Sequence, residues 1–339
     1  MKSFAWALIG PGPIAGRFTE AVQRMDGCHL AWVHGRDLSR STDFASRWSV
    51  ADKPPVQAAA QLDELLANPA VDAVYIATPH AFHADAIRRC LLAGKPVLCE
   101  KPLVPNLLVA QELVELAQTR QVFLMEALWT HFLPIYAEVG DWLAQGRIGE
   151  LRGMQSSFCF SRPFDAASRL FDPAQAGGAL LDIGIYNLSV TSWVLKQSLG
   201  ACPPLQGLQA QALLAPSGVD QRLSATLAFG AGLSSQFICG FDLRSDNGLH
   251  IFGERGRISL PRDFWQATEA VLSVDGQPEL RLQRPFRING FEGEIEAAMR
   301  CIQAGAIECP QMPHAQTLAT LGWMDQIRAQ IDLRYPFEG

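Results

Sequence analysis

A lysine at the end of a buried strand pattern is the residue of this chain whose position most strongly suggests chemistry. Lys101 lies in the tripeptide Glu100-Lys101-Pro102, directly after the apolar residues 96–99. The carboxyl ends of parallel strands form the edge of an open α/β sheet at which ligands bind. A desolvated ammonium is costly unless it is paired or used. We therefore predict that Lys101 serves a ligand site rather than a solvated loop.

A glycine-rich turn near the start of the chain predicts the class of that ligand. Residues 4–9 form a short apolar run, and the sequence G-P-G-P-I-A follows at residues 10–15. This spacing fits the dinucleotide fingerprint, whose glycines permit a tight turn and a close approach of the pyrophosphate to the backbone. The alanine allows close packing of the next helix, whose N-terminal amides bind phosphate. The predicted cofactor-binding residues here are Gly10, Gly12, Pro13, Ile14 and Ala15.

The end of the second strand pattern predicts which dinucleotide is preferred. The apolar run 30–33 is followed by His34-Gly35-Arg36-Asp37. An acid at this place holds the ribose 2′-hydroxyl of NAD, whereas an arginine suits the 2′-phosphate of NADP. Arg36 has the planar fork that grips phosphate, and Asp37 is expected to point away. We therefore predict NADP as the cofactor, with NAD as the alternative.

Composition and charge narrow the class of protein. The chain has 339 residues, of which 48% are hydrophobic and 18% charged, as in a globular protein of about two domains. A net charge of −6 gives no support for nucleic acid or an anionic membrane as partner. We identify no apolar stretch long enough to span a bilayer and no signal peptide at the start. The eight cysteines contain no C-x-x-C pair and are expected to be reduced core residues, so we predict a cytoplasmic protein with a small-molecule substrate.

The histidines do not form a recognisable metal motif. The seven histidines include no H-E-x-x-H pair or Cys/His cluster. His80 and His83 are three residues apart at a predicted helix start, but no third ligand is suggested. We expect no metal site, and a structural role for His83.

Strand and helix patterns alternate through the first 125 residues, which is typical of a doubly wound parallel sheet. Strands are expected at 4–9, 30–33, 71–77, 97–99 and 122–125, and helices at 38–48, 80–92 and 105–118, with Pro105 in the first turn of the last helix. We predict that residues 1–125 form a dinucleotide-binding Rossmann domain.

The pattern changes near residues 146–149 to strands that succeed one another without long helices, which indicates a mostly antiparallel sheet. Strands are expected at 151–160, 205–214, 222–229, 233–241, 249–252 and 257–260, and helices at 187–196, 291–304 and 315–330. Residues 126–339 are predicted to form an α+β domain for substrate binding and oligomerisation. Its two terminal helices are expected to pack back on the first domain or along the seam.

The chain resembles the Gfo/Idh/MocA oxidoreductases over nearly its full length. The resemblance is carried by residues 10–15, by 77–80 with His83, by Glu100-Lys101-Pro102 and by the glycine-rich run 177–186. The chain is most similar to the dimeric dihydrodiol dehydrogenase branch, also called D-xylose 1-dehydrogenase (NADP), on residues 125–130 and 182–186. Most members of the wider family carry histidine where Tyr186 stands. The resemblance implies a Rossmann domain, an antiparallel α/β substrate domain, and homodimers or higher oligomers built on the C-terminal sheet.

The resemblance also places Lys101 and Tyr186 together at the nicotinamide. Oxidation of a carbinol removes the hydroxyl proton as the hydride leaves, which requires a base within hydrogen-bond reach. Free tyrosine has a pKa of about 10, and a nearby ammonium lowers such a pKa. We expect Tyr186 to be the acid/base, with Lys101 as its electrostatic activator and as a ligand of the substrate hydroxyl.

Asp182 precedes Tyr186 by four residues and would share its face on a helical turn. The resemblance implies that Asp182 is a substrate-hydroxyl ligand or orients the acid/base. A helix N-cap is the alternative, and both roles can hold.

Further contacts are implied by the resemblance at the loop after the central strand. Thr78, Pro79 and His80 are expected to line the nicotinamide ribose and the substrate, and Glu100 to contact the cofactor. Thr78 can instead be a helix cap, and His80 an exposed loop residue.

Aromatic side chains are candidates for the substrate pocket. Trp129 is expected to form a wall for a sugar ring or an arene, with a core position as the alternative. Phe158 is a further candidate, although core packing suits it as well. His131 stands where the branch would suggest arginine, which weakens a charged substrate contact there.

These expectations together predict an NADP-dependent oxidoreductase acting on a secondary hydroxyl or carbonyl of a sugar, such as D-xylose, or of a cyclic trans-dihydrodiol. One alternative is a reductase of a sugar-derived ketone or dicarbonyl. The other is a non-catalytic, nucleotide-sensing regulatory protein with the same fold. The presence of both Lys101 and Tyr186 argues against that sensor.

Overall fold

The computed structural model describes residues 3–338, and the chain divides into two compact units. The first unit runs to Trp129 and also contains residues 287–315, and the second contains residues 130–286 and 316 to the C-terminus. The assignment of cofactor binding to residues 1–125 and of substrate binding and oligomerisation to 126–339 stays a prediction.

The first unit is built around a six-stranded parallel sheet. Its strands are β1 (Phe4–Ile9), β2 (Cys28–His34), β3 (Gln57–Ala59), β4 (Ala73–Ile76), β5 (Val97–Glu100) and β6 (Leu124–Ala127), and its first helices are α1 (Pro13–Arg24), α2 (Leu38–Trp48), α3 (Leu62–Ala67), α4 (His83–Leu92) and α5 (Leu107–Arg120). The strand order β3-β2-β1-β4-β5-β6 is that of a Rossmann fold. Every residue of β1, β4 and β5 is buried, as expected of parallel strands covered on both faces.

The structure corrects one helix start. Asn106 caps α5, since its side chain accepts a hydrogen bond from the Val109 amide at 3.0 Å. The helix therefore begins at Leu107, and the prediction that Pro105 lies in its first turn was wrong.

The second unit contains an eight-stranded sheet in which only the β7–β10 pair is parallel. Its elements are α6 (Pro134–Ala144), β7 (Leu151–Cys159), α7 (Ile185–Leu199), β8 (Gly207–Leu214), β9 (Asp220–Ala228), β10 (Ser234–Gly240), β11 (Leu249–Gly253), β12 (Gly256–Leu260), β13 (Glu269–Val274) and β14 (Leu280–Gln283). The predicted fold class, a Rossmann sheet plus an α+β domain with a large mostly antiparallel sheet, is confirmed.

The helix α7 forms the core of the second unit. All its residues from Ile185 to Leu195 are buried, and it packs against β7 and β10. By length and composition the longer segment Pro173–Leu199 could span a membrane, so the expectation that no stretch has this property needs correction. An 18-residue window of that segment is completely buried inside the protein, which is the pattern of a core helix.

The two terminal helices are α8 (Glu292–Gln303) and α9 (His314–Gln330). In the first unit, α8 packs against α1. From Gln316 onward, α9 lies in the second unit, so of the two helices only α8 lies wholly in the first.

Candidate active site

The glycine-rich turn connects β1 to α1 and leaves room at the helix start. Gly10 has a φ of +94°, and a Cβ there would meet the backbone of Ala77 and Thr78 at 2.8 Å, so only glycine fits. Gly12 is the N-cap of α1, and a Cβ at Gly12 would meet nothing within 4 Å. No side chain of the described residues caps this helix. Its first amides are therefore available to an anionic ligand.

Pro13, Ile14 and Ala15, the last residues of the fingerprint, differ in how far they are exposed. Pro13 opens α1, where its missing N–H costs nothing, and Ile14 is 37% exposed beside it. Ala15 is completely buried, which fits the close helix packing that the fingerprint requires.

The segment after β2 contains an exposed arginine, Arg36, and an acid, Asp37, that caps the next helix. Arg36 is exposed, with its guanidinium 5.6 Å from the centroid of the Phe82 ring. Asp37 caps α2, because its side chain accepts hydrogen bonds from the amides of Ser39 and Arg40. Asp37 is thus committed to the helix, and Arg36 is the side chain left for a ligand at this strand end.

The loop after β4 carries a buried hydroxyl and a buried imidazole. The Oγ1 atom of Thr78 is buried and has no hydrogen-bond partner among residues 3–338. A capping role for Thr78 is excluded, since Pro79 and Phe82 occupy the N-cap positions of the following helical turns. His80 is 6% exposed, so the alternative of an exposed loop residue is also excluded.

His83 joins this loop to the loop after β5. Its Nε2 atom lies 2.8 Å from the carbonyl oxygen of Thr78, and its Nδ1 atom lies 2.9 Å from that of Pro102. Burial lowers the pKa of His83. These contacts agree with the expected structural role, since His83 joins the carbonyl of Thr78 to that of Pro102, the residue after Lys101.

Lys101 follows the last residue of β5 and is half-buried. The preceding Glu100 points into the core, where it accepts a hydrogen bond from the hydroxyl of Tyr75. The Phe18 ring of α1 stacks on Tyr75 with centroids 3.7 Å apart. The lysine loop, the segment after β5 that contains Lys101, is thereby connected through Glu100 and Tyr75 to α1, the helix that follows the glycine turn.

A second buried acid lies behind Glu100. Glu294 of α8 is fully buried, and neither carboxyl oxygen has a partner within the described chain. Burial, and then the charge of Glu100, raise the pKa of Glu294 well above its usual range. Burial without a hydrogen-bond partner thus favours the neutral form of this carboxyl group.

In the second unit, Tyr186 lies in the first turn of α7 among aromatic side chains. It is 8% exposed, and its ring centroid is 5.6 Å from that of Phe158. Phe158 in turn stacks face to face on Trp265, with centroids 3.4 Å apart. Trp265 was not predicted from the sequence, because its contact with Phe158 depends on pairing of distant segments.

Asp182 lies in a π-helical turn, residues 180–184, that runs directly into α7. The N-cap of α7 is Gly184, so Asp182 is not the cap of that helix. Its Oδ1 atom forms an ion pair with Arg169 at 3.1 Å. Arg169 was not predicted, because nothing in the loop 161–175 distinguishes it from other surface arginines.

The remaining aromatic candidate, Trp129, is packed within the first unit. Trp129 is 5% exposed, and its ring centroid lies 5.0 Å from that of Phe291. The Arg17 guanidinium lies over the Trp129 ring, 4.8 Å from the centroid. These contacts favour the core alternative. In the second unit His131 is also buried, and its Nε2 atom lies 2.8 Å from the hydroxyl of Ser189, which indicates a packing role.

Metal ligation has no geometric support in the part of the chain that the structure describes. No group of three or more His, Cys, Asp or Glu side chains there could hold an ion. The cysteines are free, and burial raises the pKa of Cys99, beside the lysine loop, well above its usual range. Cys99 is thus a packing residue rather than a nucleophile.

An open parallel sheet whose glycine turn leaves the start of α1 accessible to an anionic ligand is typical of dinucleotide-binding proteins. Residues 4–128 match the GFO_IDH_MocA model, an oxidoreductase family with an NAD-binding Rossmann fold. Residues 136–259 match the GFO/IDH/MocA C-terminal domain. The chain belongs to the Gfo/Idh/MocA oxidoreductase family.

Curated relatives cover almost the whole chain. Trans-1,2-dihydrobenzene-1,2-diol dehydrogenase of Homo sapiens is 31% identical over 338 residues, which is 98% of each chain. The dehydrogenase of the same name from Danio rerio is 31% identical over 337 residues, which is 97% of each chain. These matches confirm the predicted branch and the prediction that the protein is an enzyme.

Solved structures with the same fold include other oxidoreductases. A 3-ketoreductase from Actinomadura kijaniata, in complex with NADP and TDP-benzene, is 26% identical with a TM-score of 0.83, covering 97% of this chain and 98% of that one. An aldose-aldose oxidoreductase from Caulobacter crescentus is 20% identical with a TM-score of 0.84, covering 98% of both chains. The second likeness concerns the fold alone.

Proposed function

We propose that this protein is an NADP-dependent oxidoreductase that transfers a hydride between nicotinamide and a secondary hydroxyl or carbonyl of a sugar or cyclic trans-dihydrodiol. The observation that carries the proposal is the buried Tyr186 at the start of α7, with Asp182 on the turn before it and aromatic faces around it. We assign the acid/base role to Tyr186 and the pocket wall to these rings, and membership of an oxidoreductase family supports that assignment.

The residues of the first unit fit a dinucleotide. The open space at Gly12 and the uncapped start of α1 suit the pyrophosphate, with Gly10, Pro13, Ile14 and Ala15 forming the turn. The partnerless hydroxyl of Thr78, followed by Pro79 and His80, suits the nicotinamide ribose. The bound dinucleotide supplies or accepts the hydride.

Arg36 supports NADP over NAD. Its guanidinium is exposed at the end of β2, and the neighbouring Asp37 is committed to capping α2. An acid whose Oδ1 atom caps the next helix is less available to the ribose 2′-hydroxyl, which an acid at this place holds in NAD sites. The solved 3-ketoreductase is a complex with NADP, which agrees with this choice.

Tyr186 is proposed to exchange the proton of the reacting oxygen. Burial among rings disfavours a charged phenolate, so proton transfer at Tyr186 needs a compensating positive charge. We assign that charge to Lys101, which also binds the substrate oxygen. Glu100 is proposed to support this lysine, because its side chain accepts hydrogen bonds from the Tyr75 hydroxyl and from the Lys101 amide. Its predicted contact with the cofactor stays part of the proposal.

Asp182 is proposed to bind a substrate hydroxyl and orient Tyr186. The ion pair with Arg169 at 3.1 Å holds the Asp182 carboxylate in place on the turn before Tyr186. The 3-ketoreductase has been solved with a lysine replaced by alanine or glutamate and with a tyrosine replaced by phenylalanine. Side chains of these two types were thus singled out in that protein.

The substrate class is proposed from the aromatic side chains near Tyr186 and from the names of the related proteins. Phe158 stacked on Trp265 beside Tyr186 presents flat apolar faces, which suit either a sugar ring or an arene. The curated relatives are named for a dihydrodiol and the solved neighbour for a keto group, so a reductase of a sugar-derived ketone or dicarbonyl is the second candidate. Trp129 and His131 contribute packing.

The proposal is tested by following absorbance at 340 nm with NADP or NAD and a panel of D-xylose, other aldoses and trans-dihydrodiols. The same panel of ketones and dicarbonyls with NADPH tests the reverse direction. We expect turnover of one of these classes with a preference for NADP. Tight NADP binding without turnover of any compound would contradict the proposal and favour the non-catalytic sensor.

A homodimer built on the C-terminal sheet, in the cytoplasm, completes the proposal. The sheet of the second unit carries a polar groove of about 590 Å³, lined by side chains of β7–β11 that include Gln155, Gln209 and Gln236. Such a surface with many hydrogen-bonding groups suits a second copy of the chain. Light scattering coupled to size exclusion, with Gln236→Glu as the interface variant, measures the oligomeric state.

A further inference from the structure

A buried carboxylate lies at the start of β9, under the turn that leads to the proposed acid/base. Asp220 is completely buried, and its Oδ2 atom accepts a hydrogen bond from the Leu180 amide at 2.6 Å. Ala179 contributes a second backbone contact to the carboxylate. The other oxygen, Oδ1, has no partner among the residues that the structure covers. Asp220 is therefore bound to the backbone of residues 179–180 and to little else.

The turn is shaped to accept this carboxylate. Gly178 has a φ of +116°, and a Cβ there would overlap the Oδ1 atom of Asp220. A Cβ on Gly177 would meet the carbonyl oxygens of Arg169 and Leu170 at 2.7 Å. Both glycines are thus required by protein atoms rather than by a ligand, and Gly178 is required by Asp220 itself.

The C-terminal segment holds the same turn from a second side. The hydroxyl of Tyr335 donates a hydrogen bond to the Gly177 carbonyl oxygen at 2.7 Å. Arg328 lies 5.2 Å from the centroid of the Tyr335 ring and forms ion pairs with Glu338 and Asp325. The segment that ends the described chain is thereby fixed against the turn.

The turn sets the position of the next residues of the chain. The Asp182 amide donates to the Gly178 carbonyl oxygen at 3.2 Å, and residues 180–184 continue without a break into α7. A shift of Gly178 or Leu180 is therefore transmitted to Asp182 and, one turn later, to Tyr186.

We propose that Asp220 is a positioning residue whose carboxylate fixes the 177–180 turn and thereby the placement of Asp182 and Tyr186. This inference rests on the proposed function, in which Tyr186 is the acid/base. Asp220 touches neither substrate nor cofactor, so it acts through the backbone of the turn.

Ionisation of Asp220 gives the proposal a pH signature. Burial raises the pKa of Asp220 to about 7, against the lowering effect of the backbone amides and of Arg328. The other titratable groups that act on it or respond to it are Tyr335 and Cys239. The ionised form binds the Leu180 amide more strongly, so kcat should rise as the pH passes through about 7.

Stability should change in the opposite direction. An aspartate in the unfolded chain has a pKa of about 3.9. The pKa of Asp220 in the folded protein is higher, so its contribution to stability is complete below the unfolded-state pKa. This contribution is lost as the pH rises from there through about 7. The same ionisation that orders the turn therefore makes the fold less stable.

The test compares Asp220→Asn with Asp275→Asn, a matched change at an exposed carboxylate of the same unit. In wild type and in Asp275→Asn, kcat should rise and Tm should fall through about pH 7. In Asp220→Asn neither kcat nor Tm should change with pH in this way. Its kcat at pH 8 should be reduced about tenfold to hundredfold, and its KM for NADP should be unchanged. A pH profile and kcat like those of wild type would overturn the proposal.

Two further measurements keep the proposal testable. Hydrogen exchange by mass spectrometry of a peptide covering residues 177–186 should show faster exchange in Asp220→Asn at pH 8, and it needs no turnover. If that variant does not fold, Tyr335→Phe replaces it and should lower kcat with unchanged KM for NADP and faster exchange of the same peptide. Unchanged exchange refutes the positioning role, whereas a wild-type enzyme without turnover refutes only the proposed function.

Discussion

Two glycine-rich turns precede buried helices in this molecule, and they use glycine in opposite ways. At Gly12, before α1, a Cβ would meet nothing within 4 Å, and the helix start has no side-chain cap. At Gly178, before α7, a Cβ would overlap the buried carboxylate of Asp220. The first turn leaves space for something outside the chain, whereas the second is filled by the chain itself.

The difference shows that the same residue pattern can mark a binding surface or a packed joint. An open glycine turn exposes backbone amides to a ligand at little cost in stability. A packed glycine turn fixes the next segment of the chain, which here carries Asp182 and Tyr186. We therefore predict that a substitution in the packed turn lowers the stability of the fold, whereas one in the open turn weakens cofactor binding.

Gly178→Ala should have the largest effect on folding. The positive φ strains any side chain, and the overlap with Asp220 adds an overpacking cost, for a total loss of about 2–4 kcal/mol in the free energy of unfolding. Urea unfolding measures this loss. Gly276→Ala is the matched control, since its φ is +72° in open space and only the conformational cost of about 1 kcal/mol applies. Equal losses in both variants would mean that Gly178 is not packed on Asp220.

Gly12→Ala should instead leave the fold intact and weaken cofactor binding. Its φ of −102° suits alanine, so the free energy of unfolding should change by less than about 1 kcal/mol. The new methyl group would occupy the space assigned to the pyrophosphate, so calorimetry should show a Kd for NADP raised about 30-fold or more, equivalent to about 2 kcal/mol.

Gly16→Ala is the control for that variant. A Cβ at Gly16 would lie 3.6 Å from the Trp48 ring, an ordinary contact away from the open space. The Kd for NADP should stay close to that of wild type. A Gly12→Ala protein that binds NADP as well as Gly16→Ala does would remove the glycine turn from the cofactor site.

Arg36→Ala should have a smaller and more selective effect. Loss of the guanidinium should raise the Kd for NADP about tenfold and leave that for NAD unchanged. Asp37→Ala is the matched control, since loss of the helix cap should cost about 1 kcal/mol of stability without changing the preference between the two cofactors. Equal effects of Arg36→Ala on NADP and NAD would contradict the assignment of the 2′-phosphate.

The sequence predicted the first turn and the Rossmann sheet well because their signals are local. Apolar runs mark β1, β4 and β5, and the motif at residues 10–15 lies between a strand and a helix. Lys101 was located at a strand end for the same reason. The short elements β3 and α3 were missed, since three and six residues give too little periodicity.

The second turn could be predicted only in part. The glycines at 177 and 178 were visible in the sequence, but their partner Asp220 lies 40 residues away from Leu180. The same holds for Trp265 against Phe158 and for Arg169 against Asp182, which are tertiary contacts without a local pattern. The helix α6 and the strands β13 and β14 were also missed, although Pro134 at the start of α6 and Asp275-Gly276 between the two strands are local signals that could have located them.

The role of Tyr186 is the central claim, and single-turnover kinetics of Tyr186→Phe with NADPH and the preferred carbonyl substrate tests it most directly. We predict a rate of hydride transfer lowered by about 10²–10⁴-fold, the usual contribution of a general acid, with an unchanged Kd for NADPH. A hydride-transfer rate within about twofold of wild type would contradict that role.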